Sequence, residues 1–136
     1  MSKCPFCDFK EDARGMVTLQ NEYCLYIECF DNVLEGWGMI IPRQHRETVF
    51  DLTREEWEAT YSLLSEVKEQ IDKRFQPDGY NVGWNVGTIG GQEVFHAHLH
   101  IIPRYKDEPY AGKGIRHWYK QEENKRNKLK AVGEIK

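Results

Sequence analysis

Residues 90–104 read Gly-Gly-Gln-Glu-Val-Phe-His-Ala-His-Leu-His-Ile-Ile-Pro-Arg, and no other stretch of the chain carries as much structural information. His96, His98 and His100 alternate with apolar residues, which is typical of a β-strand whose two faces differ. We predict a strand over Phe95–Ile102 that places all three imidazoles on one face and the apolar side chains in the core. Three of the five histidines of the chain would then share one surface.

Such a row of histidines suits two kinds of chemistry and one structural use. Three imidazoles can bind a metal ion, as they do in some zinc enzymes. Alternatively, one imidazole can attack phosphorus as a nucleophile while its neighbours orient it and move protons. The structural alternative is a polar strand face of half-buried histidines. Because polar clusters without a packing role usually mark sites, the pattern favours a functional site.

The flanking sequence predicts further strands and one main helix. Apolar runs at Met16–Leu19 and Tyr23–Cys29 indicate a hairpin, Gly36–Pro42 a third strand that ends at its proline, and Tyr80–Asn85 a fourth. A capping box at Thr53-Arg54-Glu55-Glu56 begins the helix. Its apolar face is predicted from three- and four-residue spacing to comprise Trp57, Tyr61, Leu64, Val67, Ile71 and Phe75, and Pro77-Asp78-Gly79 ends it. About five strands with one main helix predict an α+β fold with an antiparallel sheet.

Length and composition predict one domain over residues 1–119, with a short C-terminal extension, and a charged, flexible tail over residues 120–136. The net charge of −3 gives no indication of a nucleic-acid or membrane partner. No apolar run is long enough to span a bilayer and no signal peptide is recognised, so we expect a cytoplasmic protein. In that reducing compartment, Cys4 and Cys7 form a C-x-x-C pair typical of metal or redox sites, whereas Cys24 and Cys29 are expected to be small buried hydrophobes.

The sequence resembles the histidine triad (HIT) family of nucleotide hydrolases and transferases. The family signature is His-φ-His-φ-His-φ-φ, where φ is apolar, and residues 96–102 match it throughout. The spacing of Asn85-Val86-Gly87 and Gly90-Gly91-Gln92, the turn in Gly38–His45, and the N-terminal Cys4-Pro5-Phe6-Cys7 are also similar to family members.

The resemblance implies a mechanism and a HIT-like fold. His98 is the implied nucleophile, which attacks the α-phosphate and forms a nucleotidyl-histidine. His100 would bond to a phosphoryl oxygen or help to protonate the leaving group, and His96 would orient the set. No cofactor is required for this chemistry. By the resemblance, Asn85, Gly91 and Gln92 would contact the substrate; Glu93, which departs from the family pattern, and Trp118, an aromatic residue that can stack on a base, are the other residues expected to contact it.

Several positions depart from the family pattern. Glu93 stands where members usually have Ser or Thr, and Trp37 where many have His. The acidic residue that commonly contacts the ribose aligns with Cys29, so Glu28 or Asp31 would have to replace it. Trp118 either stacks on a base or anchors the C-terminal segment; both alternatives remain open.

We also expect a structural zinc ion held by Cys4, Cys7, His45 and His96. A C-x-x-C pair supplies two ligands. His98 and His100 are needed for chemistry and His117 lies near the tail, which leaves His45 and His96; a similar set occurs in related uridylyltransferases. The alternative is that both cysteines are reduced and bind no metal ion.

Three functions follow from these residues. The first is hydrolysis of a dinucleoside polyphosphate or related nucleotide at the α-phosphate. The second is hydrolysis of nucleoside phosphoramidates or adenylylated adducts, and the third is nucleotide binding by a regulatory module with little turnover. The family resemblance and the apolar helix also predict a homodimer.

Overall fold

A five-stranded antiparallel sheet with the order β1-β2-β3-β5-β4 forms the centre of the molecule. In the computed structural model, which describes residues 4–128, the strands are β1 (Gly15–Gln20), β2 (Cys24–Cys29), β3 (Gly38–Pro42), β4 (Gly79–Trp84) and β5 (Leu99–Arg104). The long helix is α1 (Arg54–Phe75). The predicted α+β fold is confirmed, and four of the strands lie within two residues of their predicted bounds.

The fifth strand was predicted to begin too early. Strand β5 begins at Leu99, so His100 lies in the strand, whereas His96 lies in a bend and His98 in the irregular segment between that bend and the strand. Leu99 is the first residue of β5 to pair with both β3 and β4. Pairing does not continue towards His96, because Pro42 has no N–H to donate and its carbonyl oxygen accepts a hydrogen bond from His96 Nε2 at 2.8 Å.

Helix α1 begins where the capping box predicts. The hydroxyl of Thr53 accepts from the backbone N–H of Glu56, and the Glu56 carboxylate accepts from the N–H of Thr53. The helix ends at Phe75 and is capped by Gln76, whose φ of 51° is left-handed. The predicted apolar face is rotated from the buried one: Trp57 and Tyr61 are exposed, and the residues that α1 buries are Glu56, Thr60, Leu63, Val67 and Ile71.

The two faces of the sheet pack against different parts of the chain. On one face, Leu63, Val67 and Ile71 of α1 pack against a cluster that includes Tyr26, Ile40, Leu99 and Ile101. On the other face, the N-terminal segment packs through Phe6 and Phe9 against Ile27, Cys29, Met39 and Ile41. Because Leu99 and Ile101 face the helix, the alternation of β5 directs His100 to the N-terminal segment.

Gly38 in β3 allows the ring of Tyr26 to lie close to the backbone of its neighbour. A Cβ atom at position 38 would lie 2.2 Å from the Tyr26 hydroxyl oxygen. This hydroxyl is buried and has no hydrogen-bond partner within residues 4–128. The close approach therefore requires glycine at position 38.

Within the described residues, 106–128 form a second compact unit, separate from the unit that ends at Tyr105. In it, Trp118 makes edge contacts with the rings of Tyr110 and His117, and Glu122–Asn124 forms one 3-10 turn. The domain boundary after residue 119 stays a prediction. The flexible tail was predicted over residues 120–136, of which 129–136 lie outside the described residues. No helix within the described part of the chain is long and apolar enough to cross a membrane.

Candidate functional site

The turn after β3 holds the histidine segment in place. The backbone N–H of Ala97 donates to the carbonyl oxygen of Arg46 at 2.7 Å. Arg46 in turn forms an ion pair with the buried carboxylate of Glu56 at 3.0 Å. Burial raises the pKa of Glu56, but the hydrogen bonds from Arg46 and Thr53 outweigh it and lower the pKa overall. The first turn of α1 therefore fixes the backbone between His96 and His98.

One ring nitrogen of His98 forms a hydrogen bond to the backbone, and the other carries a lone pair when the ring is neutral. Its Nδ1 lies 2.8 Å from the carbonyl oxygen of His96. Because a carbonyl can only accept, Nδ1 carries the proton, and a neutral His98 then has an unprotonated Nε2. The residue is 8 % exposed. The local backbone thus selects the tautomer in which Nε2 has a free lone pair.

His100 lies beside His98, with ring centroids 4.8 Å apart. Burial lowers the pKa of His100 to about 4, and the nearby His98 acts in the same direction, so the imidazole is neutral at pH 7. Its Nε2 is buried and has no hydrogen-bond partner among residues 4–128. The ring of Trp37 stacks on His100 with an interplanar angle of 7° and a centroid distance of 6.1 Å.

Cys4, Cys7, His45 and His96 come together in one cluster, whose possible ligand atoms all lie within 4.8 Å of one another. The Nδ1 atom of His96 is 3.4 Å from Cys4 Sγ and 3.5 Å from Cys7 Sγ, and His45 Nδ1 is 3.3 Å from Cys7 Sγ. These are the four residues that the sequence predicts as metal ligands. We call them the Cys/His cluster.

The chemistry and spacing of the Cys/His cluster fit a tetrahedral zinc ion. Zinc bonds of about 2.3 Å to sulfur and about 2.05 Å to nitrogen place neighbouring S and N ligands about 3.5 Å apart. His96 Nε2 donates to the carbonyl oxygen of Pro42, which leaves the lone pair of Nδ1 directed at both sulfur atoms. A metal-binding histidine is usually oriented in this way, by a hydrogen bond from the ring nitrogen that does not bind the metal.

Phe6 is a residue of the site that the sequence did not identify. Its ring makes edge contacts with His98 and His96, at centroid distances of 5.1 and 5.8 Å. The available signal was an aromatic residue inside the C-x-x-C pair, in an otherwise polar N-terminal segment.

Phe6 and Trp37 also line a cleft of about 630 Å³ on this face of the sheet. Ligand pockets in proteins commonly have volumes of this order. Its other walls include Phe9, Ile27, Cys29, Phe30, Asp31 and Met39. Cys29 is buried as predicted, and burial raises the pKa of its thiol to about 11, so it offers no negative charge to a ligand.

Of the two acids expected to replace Cys29, Asp31 lies in the cleft. Hydrogen bonds from the backbone N–H groups of Leu34 and Val33 lower the pKa of Asp31, which keeps it ionised. Glu28 is buried and forms an ion pair with Arg74 of α1 at 2.9 Å.

The glycine-rich loop carries the predicted substrate-binding residues. Gly91 has a left-handed φ of 95°, and Asn85 Nδ2 donates to its carbonyl oxygen at 3.4 Å. Gln92 is buried, and its Nε2 donates to the carbonyl oxygens of Glu47 and Val94. Glu93 is exposed. Substrate contacts by these residues, and by Trp118 in the second unit, stay predictions.

The family model described as "HIT domain" matches residues 10–107. "Protein hit" of Bacillus subtilis is 33 % identical over 103 residues, which cover 75 % of this chain and 71 % of that protein. A crystal structure of a HIT family member from Bacillus subtilis has 26 % identity and a TM-score of 0.72, and the match covers 98 % of this chain and 94 % of the other.

Two relatives have names that state an activity. The asymmetrical bis(5'-nucleosyl)-tetraphosphatase of Schizosaccharomyces pombe is 35 % identical over 74 residues, which are 54 % of this chain and 41 % of that protein. The adenylylsulfatase HINT3 of Arabidopsis thaliana is 29 % identical over 102 residues, which are 74 % of this chain and 52 % of that protein. With the family model covering most of the chain and the fold shared with solved members, the protein belongs to the HIT family.

Proposed function

We propose that this protein hydrolyses a dinucleoside polyphosphate or a related nucleotide at the α-phosphate, through a nucleotidyl intermediate on His98. The observation that carries the proposal is the hydrogen bond from His98 Nδ1 to the His96 carbonyl oxygen. It leaves Nε2 with a lone pair beside a second, neutral imidazole whose own Nε2 has no partner among the described residues. Membership of a family that includes nucleotide hydrolases supports the same reaction class.

The reaction proceeds in two displacements at phosphorus. His98 Nε2 forms a P–N bond while the bond from the α-phosphorus to the leaving group breaks, and the leaving group carries away the electron pair and then takes up a proton. Water next attacks the phosphorus and gives up a proton to solvent, and the P–N bond breaks, which releases the nucleoside monophosphate and returns the electron pair to His98 Nε2. Because His100 is neutral at pH 7, it acts as a hydrogen-bond partner of a phosphoryl oxygen rather than as a charged acid.

The proposed nucleoside site is the cleft lined by Phe6 and Trp37, whose rings contact His98 and His100. Its aromatic and aliphatic walls suit a base, and the ionised Asp31 can accept hydrogen bonds from ribose hydroxyls. Backbone groups of the loop around Gly91 can approach the phosphates closely, since glycine has no side chain there.

Adenylylated adducts and phosphoramidates form the second candidate substrate class, and Glu93 is the observation that favours it. An exposed carboxylate in the loop that precedes the triad repels an anionic polyphosphate leaving group more than an uncharged amine. A turnover assay on dinucleoside polyphosphates, nucleotide sugars and adenosine phosphoramidates tests both candidates. Binding of nucleotide without turnover of any substrate would instead indicate a regulatory module.

Glu93→Ser is expected to lower the ratio of phosphoramidate to polyphosphate hydrolysis by roughly two- to fivefold, because it removes an exposed and partly screened negative charge. The ratio of the two kcat/KM values is the measurement. Glu66→Ser, which removes an exposed carboxylate from α1, is the matched control and leaves the ratio unchanged. A ratio equal to that of the wild type in Glu93→Ser would show that the side chain does not act on the leaving group.

We further propose that the Cys/His cluster binds one structural zinc ion. Cys4, Cys7, His45 and His96 would hold it, and zinc would supply a fixed link between the N-terminal segment and the histidine segment. The expected location remains the cytoplasm, where the thiols that bind zinc stay reduced.

A homodimer is proposed through the edge strand β4 and the adjoining side of α1. Trp57 and Tyr61 are exposed on α1, and they line a groove of about 280 Å³ together with Leu64, Val82 and Trp84. Strand β4 lies at the end of the sheet, so its outer backbone groups are available for a partner. A second copy of this chain presents the same apolar surface about a twofold axis.

Trp57→Glu is expected to make this dimer dissociate at micromolar concentration, as measured by light scattering. Burial of one large apolar side chain contributes roughly 1.5–3 kcal/mol, and a twofold interface contains it twice, so the dissociation constant should rise at least about 100-fold. Val33→Glu changes an exposed apolar residue outside the groove and should leave the mass unchanged. A wild-type protein that is monomeric at that concentration would contradict the proposal.

A further inference from the structure

Phe6 touches three parts of the site at once. It lies between Cys4 and Cys7 in the chain, and its ring is in edge contact with both His96 and His98. It also lines the cleft and packs on the buried cluster of that face of the sheet. One half-buried side chain therefore connects the Cys/His cluster, the proposed nucleophile and the proposed nucleoside site.

The loop that carries Phe6 is short and is held through its cysteines. The N–H of Asp8 donates to the carbonyl oxygen of Cys4 at 3.1 Å, and the N–H of Cys7 donates to Cys4 Sγ at 3.4 Å. The contacts of Cys4 Sγ with His96, and of Cys7 Sγ with His45 and His96, then join this loop to the rest of the domain. Thiols form weak hydrogen bonds, so these contacts hold the loop firmly only when a metal ion replaces the thiol protons.

We propose that Phe6 is a positioning residue through which zinc at the Cys/His cluster strengthens nucleotide binding at His98. This inference rests on the proposed function. With zinc bound, both ends of the loop are fixed, and the ring of Phe6 is held against His98 as a wall of the cleft. Without zinc the ring is released, and a nucleotide must order both the loop and the His98 imidazole when it binds.

The experiment measures the affinity of the full chain for adenosine monophosphate by calorimetry, with one equivalent of zinc and after its removal by a chelator. Ordering one side chain on binding weakens affinity severalfold, so we expect the wild-type dissociation constant to rise about fivefold when zinc is removed. Phe6→Ala keeps all four zinc ligands and should still bind one equivalent of zinc. Its affinity for adenosine monophosphate should be the same with and without the metal.

Two further variants separate positioning from packing. Phe6→Leu restores an apolar side chain of similar size and should recover part of the zinc dependence. Phe9→Ala removes another aromatic wall of the same cleft, but Phe9 lies outside the C-x-x-C pair. It should weaken binding in both states and keep the wild-type ratio between them.

A wild-type affinity that does not depend on zinc overturns the inference, as does a Phe6→Ala protein that keeps the wild-type ratio. The nucleotide function and the zinc site, on which the inference depends, would fail with different results. A wild-type protein that binds zinc but no adenosine monophosphate overturns the nucleotide function together with the inference. A protein that binds no zinc overturns the metal site and the inference while leaving the hydrolase in place.

Discussion

Replacement of His98 by asparagine is expected to lower kcat by at least about 10⁴-fold, because removal of a covalent nucleophile has effects of this order or larger. Asparagine can still donate to the carbonyl oxygen of His96 through its side-chain nitrogen, so the backbone bend should persist. It has no atom in the place of Nε2, and no P–N bond can form. Steady-state turnover of the best substrate in the panel is the measurement, with circular dichroism to verify the fold.

His100→Asn provides the comparison for this result. Loss of one hydrogen-bond partner of the phosphoryl group typically costs about 10²–10³-fold in kcat, so its defect should be clearly smaller than that of His98→Asn. Wild-type enzyme that is quenched during turnover should carry a nucleotide on His98, through a bond that is stable in base and labile in acid. Substantial activity in a folded His98→Asn protein would refute the assignment of the nucleophile.

The double variant Cys4→Ser/Cys7→Ser is expected to contain less than a tenth of an equivalent of zinc and to melt about 10 °C or more below the wild type. A ligand present at about a thousandfold excess over its dissociation constant stabilises the native state by about 4 kcal/mol. In a domain of this size, each kcal/mol shifts the melting temperature by several degrees. Elemental analysis of protein purified without a histidine tag gives the metal content, and calorimetry gives the melting temperature.

Cys29→Ala is the matched control for the loss of a thiol. Cys29 is buried on the same face of the sheet but does not belong to the Cys/His cluster. The variant should lose some stability through packing and still contain one equivalent of zinc. If the double serine variant has the metal content and the melting temperature of the wild type, the structural zinc site is ruled out.

The sequence predicted the elements that depend on local signals. The capping box at Thr53 located the start of α1, and Pro42 located the end of β3. Spacing and resemblance also grouped the four residues of the Cys/His cluster, which lie together in the structure, while their binding of a metal stays a prediction. The capping box and the C-x-x-C pair are each formed by residues close together in the sequence, and Pro42 acts through its own missing N–H.

Features that depend on distant parts of the chain were predicted less well. The alternation of His96 and His98 resembles a strand, but the hydrogen bonds to Arg46 and Pro42 produce a bend instead. Trp57 and Tyr61 follow the apolar spacing of α1, yet the sheet contacts the adjacent face of the helix. No local pattern indicates which of two apolar faces a sheet will cover, because that choice depends on how the whole domain packs.

The close approach of Tyr26 to Gly38 has a consequence for the history of this sequence. A larger residue at position 38 cannot be accepted while tyrosine occupies position 26, because the hydroxyl oxygen already fills the space of the missing Cβ. The reverse order is open: a side chain without an aromatic ring at position 26 leaves a gap that a later substitution at position 38 can fill. The two positions are therefore expected to show sign epistasis and to covary among homologous chains, with the change at position 26 coming first.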